Sequence, residues 1–236
     1  MLTHYTRTPA AVANILTLGF VWFPNRRGLT HVLMPGHDFS AREPQQFGMI
    51  SFTELEPNHA KAHCEQFGSF GIVVSDKWAA MKQAQRVIYI EEEGLATDAL
   101  RAVFAIGYQD VKRRIKYPDD AGWLMAYENK VAARVIAGSA LWANLLQIWE
   151  YMEPASSSHQ REWRIVNPLP YYSLRDSKSE AIRVVSDPQN FARFTNVVTI
   201  PRQEVEAIVC PASQVLELRS VLPDNYKDIS ILQRDS

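Results

Sequence analysis

Excess charge, cysteine and long apolar runs are all scarce in this sequence, and each scarcity excludes a class of protein. The 236 residues carry 25 Lys and Arg against 26 Asp and Glu, so the net charge of −1 provides no general attraction to nucleic acid or an anionic membrane. The two cysteines, Cys64 and Cys210, form no CxxC or zinc-like spacing, which favours inert thiols in a reducing cytoplasm. The most apolar stretch, 131–149, contains Arg134 and Asn144 and is too polar for a membrane span. The first residues lack the basic and apolar regions of a signal peptide.

The common catalytic motifs are also missing. The sequence has no Walker A, GxGxxG, HExxH or GxSxG pattern, which argues against the enzyme classes that depend on them. His59 and His63 are four residues apart on a predicted helix, a spacing that can hold a metal. Because no third ligand lies nearby, a solvated pair is favoured and no metal site is predicted.

The first quarter of the chain predicts a strand, a capped helix and a long loop. Leu2–Thr6 reads as a strand, and Thr8 and Gly19 suit the two ends of the helix that follows. Gly19–Phe23 resembles a second short strand. Residues 24–46 have weak periodicity and several Pro, Gly and Arg residues, which predicts a long surface loop that is more mobile than the strands around it.

Further strands and helices are predicted from periodicity and from Gly, Pro and Ser positions. The predicted strands are Phe47–Thr53, Gly68–Ser75, Arg86–Ile90, Gln160–Val166, Ala181–Val185, Asn196–Ile200, Ala207–Cys210 and Ile229–Leu232. The predicted helices are Asn58–Gln66, Asp76–Lys82, Thr97–Lys116, Met125–Tyr151, Pro188–Phe194, Pro201–Glu206 and Ala212–Val221. Strands gather towards both ends with helices between them. This order favours an α+β fold as a single domain over residues 1–236, with a helical insertion at about 94–152.

The strand Gln160–Val166 places two charged side chains on one face. Alternation puts Trp163 and Ile165 on a core face, and Glu162 and Arg164 on the opposite face. The simplest interpretation is an exposed ion pair worth a few tenths of a kcal/mol. The alternative is a carboxylate and a guanidinium that face a cleft lined in part by His4.

Several short patterns occur in an order that resembles a known superfamily. These patterns are His4–Tyr5–Thr6, Met49–Glu54, Phe67–Gly71 followed by Trp78, Val87–Ile90, and Glu162–Trp163–Arg164. Together they resemble the ADP-ribosyltransferase-like superfamily, and more closely the abortive-infection AbiGi-like family of phage-defence loci. The resemblance covers residues 2–166.

The resemblance implies an ADP-ribosyltransferase-like split antiparallel sheet that clasps NAD⁺ as a substrate. Cleavage of the nicotinamide–ribose bond develops positive charge on the ribose, and Glu162 is implied as the catalytic carboxylate that stabilises it. The residues implied to bind NAD⁺ are His4, Tyr5, Thr6, Phe70, Gly71, Ser75 and Arg164. One departure is that the middle strand reads Ile72–Val73–Val74, so an aromatic ring to stack on nicotinamide must come from Tyr5, Phe70 or elsewhere.

Three functions remain open at this stage. The first is a bacterial, cytoplasmic NAD-dependent ADP-ribosyltransferase that acts as a toxin or phage-defence effector on a macromolecular or small-molecule acceptor. The second is a non-catalytic abortive-infection antitoxin or regulatory protein that binds a cognate partner. The third is an α+β domain for another ligand. Nucleic acid is a conceivable acceptor, and no membrane partner is expected.

Overall fold

The computed structural model describes residues 1–24, 29–34, 47–114, 145, 148–170 and 197–234, and structural statements refer to these residues. The strands are β1 Leu2–Thr6, β2 Phe23–Pro24, β3 Phe47–Thr53, β4 Phe70–Val74, β5 Gln85–Arg86, β6 Ile88–Ile90, β7 Met152–Pro154, β8 Glu162–Pro170, β9 Val205–Pro211 and β10 Ser230–Arg234. The helices are α1 Pro9–Leu18, α2 Thr30–Leu33, α3 Lys61–Phe67, α4 Asp76–Met81, α5 Leu95–Arg114 and α6 Val215–Val221. Short 3₁₀ turns include Pro57–His59 and Ala155–Gln160.

One mixed sheet organises the described chain. Its order is β10-β9-β4-β1-β3-β8-β5, with β2 on the side of β3, and every pair is antiparallel except β9 with β10. A separate parallel pair joins β6 to β7. The predicted α+β class and the predominance of antiparallel pairing are therefore confirmed.

The central pair of strands separates soon after it meets. β1 pairs with β4 along its whole length, from Leu2 opposite Val74 to Thr6 opposite Phe70. In contrast, β1 pairs with β3 only where Thr3 faces Thr53. The two middle strands therefore diverge beyond Thr3 and leave backbone of β3 without a β1 partner.

Apolar side chains cover both faces of the sheet. On one face, α1, α4 and α6 bury the main core, in which Trp78 and Ile72 are fully enclosed. Tyr5 and Cys64 belong to a smaller cluster on the other face, where α3 packs. Both cysteines are buried thiols that form no disulfide, as the sequence suggests. No helix in the described part of the chain is long and apolar enough to cross a membrane.

Local signals at several element ends are confirmed. The Thr8 hydroxyl accepts a hydrogen bond from the amide of Ala11 at 3.1 Å and begins α1, and Gly19 ends it with a φ of 105°. The Ser75 hydroxyl accepts a hydrogen bond from the Trp78 amide at 3.0 Å and begins α4. β1 and β3 have the bounds that periodicity predicts.

The prediction of a loop over residues 24–46 is wrong at 29–34. These residues contain α2, and their side chains at Leu29, Val32 and Leu33 are almost completely buried against Phe104 and Trp149. The burial of these apolar side chains stabilises a helix too short for a periodicity test to detect. Most of the rest of that predicted loop lies outside the described residues.

The bounds of three other predicted elements differ from the prediction because of strand pairing and backbone conformation. The single strand Arg86–Ile90 is divided, because β5 pairs with β8 while β6 pairs with β7. The strand predicted from Gln160 begins at Glu162, since Arg161 has a left-handed backbone with a φ of 45°. α3 begins at Lys61, so His59 lies in the preceding turn and does not share a helix with His63.

Later predictions are confirmed in part. α5 is close to the predicted Thr97–Lys116, and β9 and β10 contain the two predicted terminal strands. At Asn196–Ile200 the structure has only a bridge between Phe20 and Val198, and Pro201–Glu206 is mainly a 3₁₀ turn. Most of Met125–Tyr151, with 181–185 and 188–194, lies outside the described residues.

Two glycines with similar backbones should respond differently to alanine. Gly68 has a φ of 115°, and an added Cβ would lie 2.2 Å from the Thr6 carbonyl oxygen. Gly94 has a φ of 138° with no atom within 4 Å of an added Cβ. We expect Gly94→Ala to cost about 1–3 kcal/mol of backbone strain, and Gly68→Ala to cost clearly more because it also forces β1 and α3 apart. Urea unfolding of both variants measures the difference, and equal losses would contradict the packing at Gly68.

Candidate functional site

A cleft of about 530 Å³ opens where β1 and β3 separate. Its volume lies within the usual range for small-molecule sites. Strands β1, β3 and β8, helix α3 and the segment after β7 all contribute side chains. The lining residues are His4, Tyr5, Met49, Ser51, His63, Gln66, Phe67, Glu153, Ser157, Gln160, Glu162 and Arg164.

Glu162 and Arg164 form a buried, two-point ion pair on one face of β8. The Arg164 Nε donates to Glu162 Oε1 at 2.8 Å, and its Nη2 donates to Oε2 at 2.9 Å. Glu162 is 7% exposed and Arg164 is 2% exposed. The face is the predicted one, but the interpretation as an exposed surface pair is wrong, because both side chains are buried.

Arg164 also joins β8 to the smaller sheet. Its Nη2 donates to a carboxylate oxygen of Glu153 on β7, and its Nη1 donates to the backbone carbonyl of Glu150. Burial alone lowers the pKa of the guanidinium, but the charges of Glu162 and Glu153 and their hydrogen bonds outweigh it and raise that pKa. Arg164 therefore stays charged and fixes both carboxylates beside the cleft.

His4 lies at the point of strand divergence. Its Nδ1 donates a hydrogen bond to the Ser51 carbonyl at 2.8 Å, which satisfies a β3 group that β1 no longer pairs. This bond leaves Nε2 as the acceptor nitrogen of the neutral ring. Phe20 and Phe52 contact the ring edge to face. Burial lowers the pKa of His4, and its bond to Ser51 only partly opposes that effect.

His63 faces the same cleft from α3. It is 8% exposed, contacts the rings of Tyr5 and Phe67, and has a buried Nδ1 with no hydrogen-bond partner in the described chain. Burial lowers its pKa to about 4, against a smaller opposing effect of the Glu162 charge. The imidazole is therefore neutral near pH 7.

The charged groups make the cleft acidic. Among the described residues that line it, Glu153 and Glu162 are the carboxylates and Arg164 is the one cation. The two histidines that line it are neutral near pH 7. Arg164 is already bonded to both carboxylates. The cleft therefore suits a neutral or cationic polar group better than a phosphate.

The structure brings together half of the eight site residues expected from the sequence. His4, Tyr5, Glu162 and Arg164 line the cleft, so Glu162 and His4 share it as expected. The other four, Thr6, Phe70, Gly71 and Ser75, are not among its lining residues. Whether any of the eight binds NAD⁺ stays a prediction.

Packing explains the positions of three residues that lie elsewhere. Phe70 is buried in the main core. An added Cβ on Gly71 would lie 2.6 Å from the Thr3 methyl, so the close approach that this glycine allows is to β1 rather than to a ligand. The Ser75 hydroxyl donates to a carboxylate oxygen of Glu204 and begins α4, which is a structural role.

Sequence reasoning missed His63, Gln66 and Phe67 on α3. They stand at i, i+3 and i+4 and share one helix face, a signal that was missed because the predicted helix paired His63 with His59 and ended before Phe67. It also missed Glu153, whose short strand has no clear pattern. No cluster of three metal-binding side chains occurs in the described residues.

Comparisons of the chain with protein-family models, curated proteins and solved structures found no match in any of the three. The chemistry of the cleft therefore rests on its own side chains. A fixed carboxylate, neutral imidazoles, amides and hydroxyls can hold a polyhydroxylated ligand and stabilise positive charge that develops on it.

Removal of the buried guanidinium should strongly destabilise the folded protein. Arg164→Met leaves Glu162 and Glu153 without their shared cation, and we expect a loss of about 3–5 kcal/mol in the free energy of unfolding. Arg86→Met removes an exposed pair with Glu54 at 2.6 Å and should cost no more than about 1 kcal/mol. Similar losses for the two variants in urea unfolding would contradict the role of Arg164.

Stability should fall in mild acid because of His63. The pKa of His63 is 6.5 in the unfolded chain and about 4 in the folded one. Between these pH values the unfolded state binds more protons, so the free energy of unfolding decreases as the pH falls. The full effect is at most about 3 kcal/mol. His4 adds an effect of the same sign.

The variant His63→Phe tests this pH effect, because it keeps a ring but cannot titrate. The fall in unfolding free energy from pH 7 to pH 4.5 should be smaller in the variant than in the wild type. Denaturant titrations at both pH values measure the difference, and identical falls would show that His63 is not buried in its neutral form.

Proposed function

We propose that the protein is an NAD-dependent ADP-ribosyltransferase that uses this cleft, with Glu162 as its catalytic carboxylate. The observation that carries the proposal is that His4 and Glu162, from opposite parts of the sequence, line one cleft at the divergence of two central strands. The cleft has the volume and hydrogen-bonding groups for part of a dinucleotide.

The divergence of β1 and β3 supports the finer fold assignment. An ADP-ribosyltransferase-like split sheet requires two central antiparallel strands that part and admit a ligand. Here pairing stops after Thr3 opposite Thr53, and the His4 ring takes the place of a strand hydrogen bond at Ser51. Such a gap in the middle of a sheet exposes polar backbone, which is costly unless side chains or a ligand satisfy it.

The proposed reaction breaks the bond between the ribose and the nicotinamide nitrogen. Nicotinamide leaves with the bonding electron pair, and the ribose carbon becomes electron-poor before a nucleophilic oxygen or nitrogen of the acceptor forms the new bond and loses its proton. The Glu162 carboxylate faces the cleft and does not need to reorient, because Arg164 holds both of its oxygens. A fixed negative charge stabilises the cationic transition state more than the ground state.

The acidic lining limits how NAD⁺ would lie. Arg164 is engaged by two carboxylates, so it is a poor partner for the diphosphate. We infer that a nucleoside part of NAD⁺ enters the cleft and that the diphosphate points away from Glu153 and Glu162. A bacterial phage-defence effector or toxin is the setting that the family resemblance suggests for this activity.

A second function is favoured by the same ion pair. The charge of Glu162 is shared with Arg164 through two hydrogen bonds, which reduces the field that it exerts on a ligand. A non-catalytic antitoxin or regulatory protein of abortive infection would keep the cleft for binding alone. This function requires NAD⁺ or partner binding without nicotinamide release.

The variant Glu162→Gln separates these functions. It keeps the side-chain size and one acceptor for Arg164 but removes the charge. If Glu162 stabilises the ribose cation, nicotinamide release should fall about 100- to 1,000-fold, while NAD⁺ affinity changes far less because the ground-state ribose is neutral. Nicotinamide is measured by chromatography and NAD⁺ affinity by calorimetry.

Glu153→Gln is the matched control, because it also removes one carboxylate from Arg164. It reports the effect of a weakened ion pair, so release should fall much less than in Glu162→Gln. Equal release by Glu162→Gln and the wild type would refute the catalytic assignment. NAD⁺ binding by a wild-type protein that releases no nicotinamide, with or without cell lysate, would support the binding function.

A further inference from the structure

One side chain of the cleft has no structural task that explains its polarity. His63 is 8% exposed, yet its enclosed Nδ1 has no hydrogen-bond partner among the described residues. An unsatisfied buried polar atom costs free energy that a Phe at this position would avoid. A histidine retained here despite that cost suggests that its other ring nitrogen, Nε2, bonds to a ligand in the cleft.

The enclosed nitrogen is Nδ1, which leaves Nε2 as the nitrogen available from the cleft. The ring is neutral near pH 7, because burial lowers its pKa to about 4. A neutral imidazole nitrogen can accept from or donate to a hydroxyl, but it offers no charge to a phosphate. The ligand group opposite His63 is therefore uncharged and polar.

An aromatic ring stands one turn further along the same helix. Phe67 lines the cleft, is 38% exposed, and has its ring centroid 4.5 Å from that of His63. An exposed aromatic ring at the rim of a cleft offers a flat surface on which a heterocyclic base can stack. It also supplies the aromatic group that the middle strand of the sheet lacks.

We propose that α3 recognises a nucleoside, with His63 Nε2 hydrogen-bonded to a ribose hydroxyl and Phe67 stacked on the attached base. Glu162 and Gln66 line the same cleft and can bond the remaining hydroxyls. The inference deepens the proposed function, since it names the part of a dinucleotide that the cleft holds. It stands without turnover, because it concerns binding alone.

Calorimetry with two nucleosides tests the assignment in the full chain. Nicotinamide riboside and adenosine both have ribose hydroxyls and a base, but the first is a cation and should bind more tightly in the acidic cleft. Binding of either one by the wild type is the expected result. If neither binds at millimolar concentration, the inference is overturned.

Variants of His63 locate the hydrogen bond. His63→Phe should weaken nucleoside binding about tenfold, as for one lost hydrogen bond. The amide of His63→Gln reaches the position of Nε2 and should restore affinity to within about threefold of the wild type. The amide of His63→Asn reaches only the position of the enclosed Nδ1, so this variant should not restore affinity.

A stacking variant and a control complete the test. Phe67→Leu keeps an apolar side chain without a ring face and should weaken binding about tenfold. His59→Gln alters an exposed histidine outside the cleft and should leave affinity unchanged. Thermal melting of each variant identifies losses of affinity that come from unfolding. If His63→Phe does not fold, the comparison of His63→Gln with His63→Asn still decides the role of Nε2.

The outcomes for the two proposals are distinguishable. Nucleoside affinity that is equal in the wild type, His63→Phe and Phe67→Leu overturns the role of α3, even if the wild type releases nicotinamide from NAD⁺. Nucleoside binding that depends on both residues, without nicotinamide release, supports the role of α3 and contradicts the enzymatic function.

Discussion

The cleft depends on the bonds that Arg164 makes. One buried guanidinium holds Glu162 on its own strand, Glu153 on β7 and the backbone carbonyl of Glu150 just before β7. It therefore joins the large sheet to the small one and determines where two carboxylates point. A buried charge is tolerated only when its partners satisfy it, so these groups form a unit in which each member requires the others.

These buried charged groups also explain why the cleft is weakly acidic. The carboxylates outnumber the cation, and the imidazoles of His4 and His63 stay neutral because burial lowers the pKa of each. The result is a weakly acidic cleft with several uncharged hydrogen-bonding groups. Whether the cleft supports turnover or only binding depends on how much of the Glu162 charge Arg164 leaves unbalanced.

Some of this arrangement was predictable from the sequence and some was not. Strand alternation identified the faces of Glu162 and Arg164, and capping residues identified the ends of α1 and the start of α4, because these are local effects. The burial of the ion pair was not predictable, since it depends on tertiary contacts with Glu153 on β7, a short strand without a clear sequence pattern. α2 was missed because four residues contain too little periodicity, and His63 was assigned to solvent because the start of α3 was misplaced.

The order of strands in the large sheet has a consequence for synthesis of the protein. β1 precedes the other described strands in sequence but lies in the middle of the sheet, and β4 pairs on its other edge with β9, which comes from near the end of the described chain. Until β9 is available, the apolar strand Phe70–Val74 has an unpaired edge, which is prone to aggregation. Glu162 reaches the cleft only after β8 has joined β3. The cleft therefore requires strands that lie more than 150 residues apart in the sequence, so a nascent or truncated chain that ends before β8 would lack it.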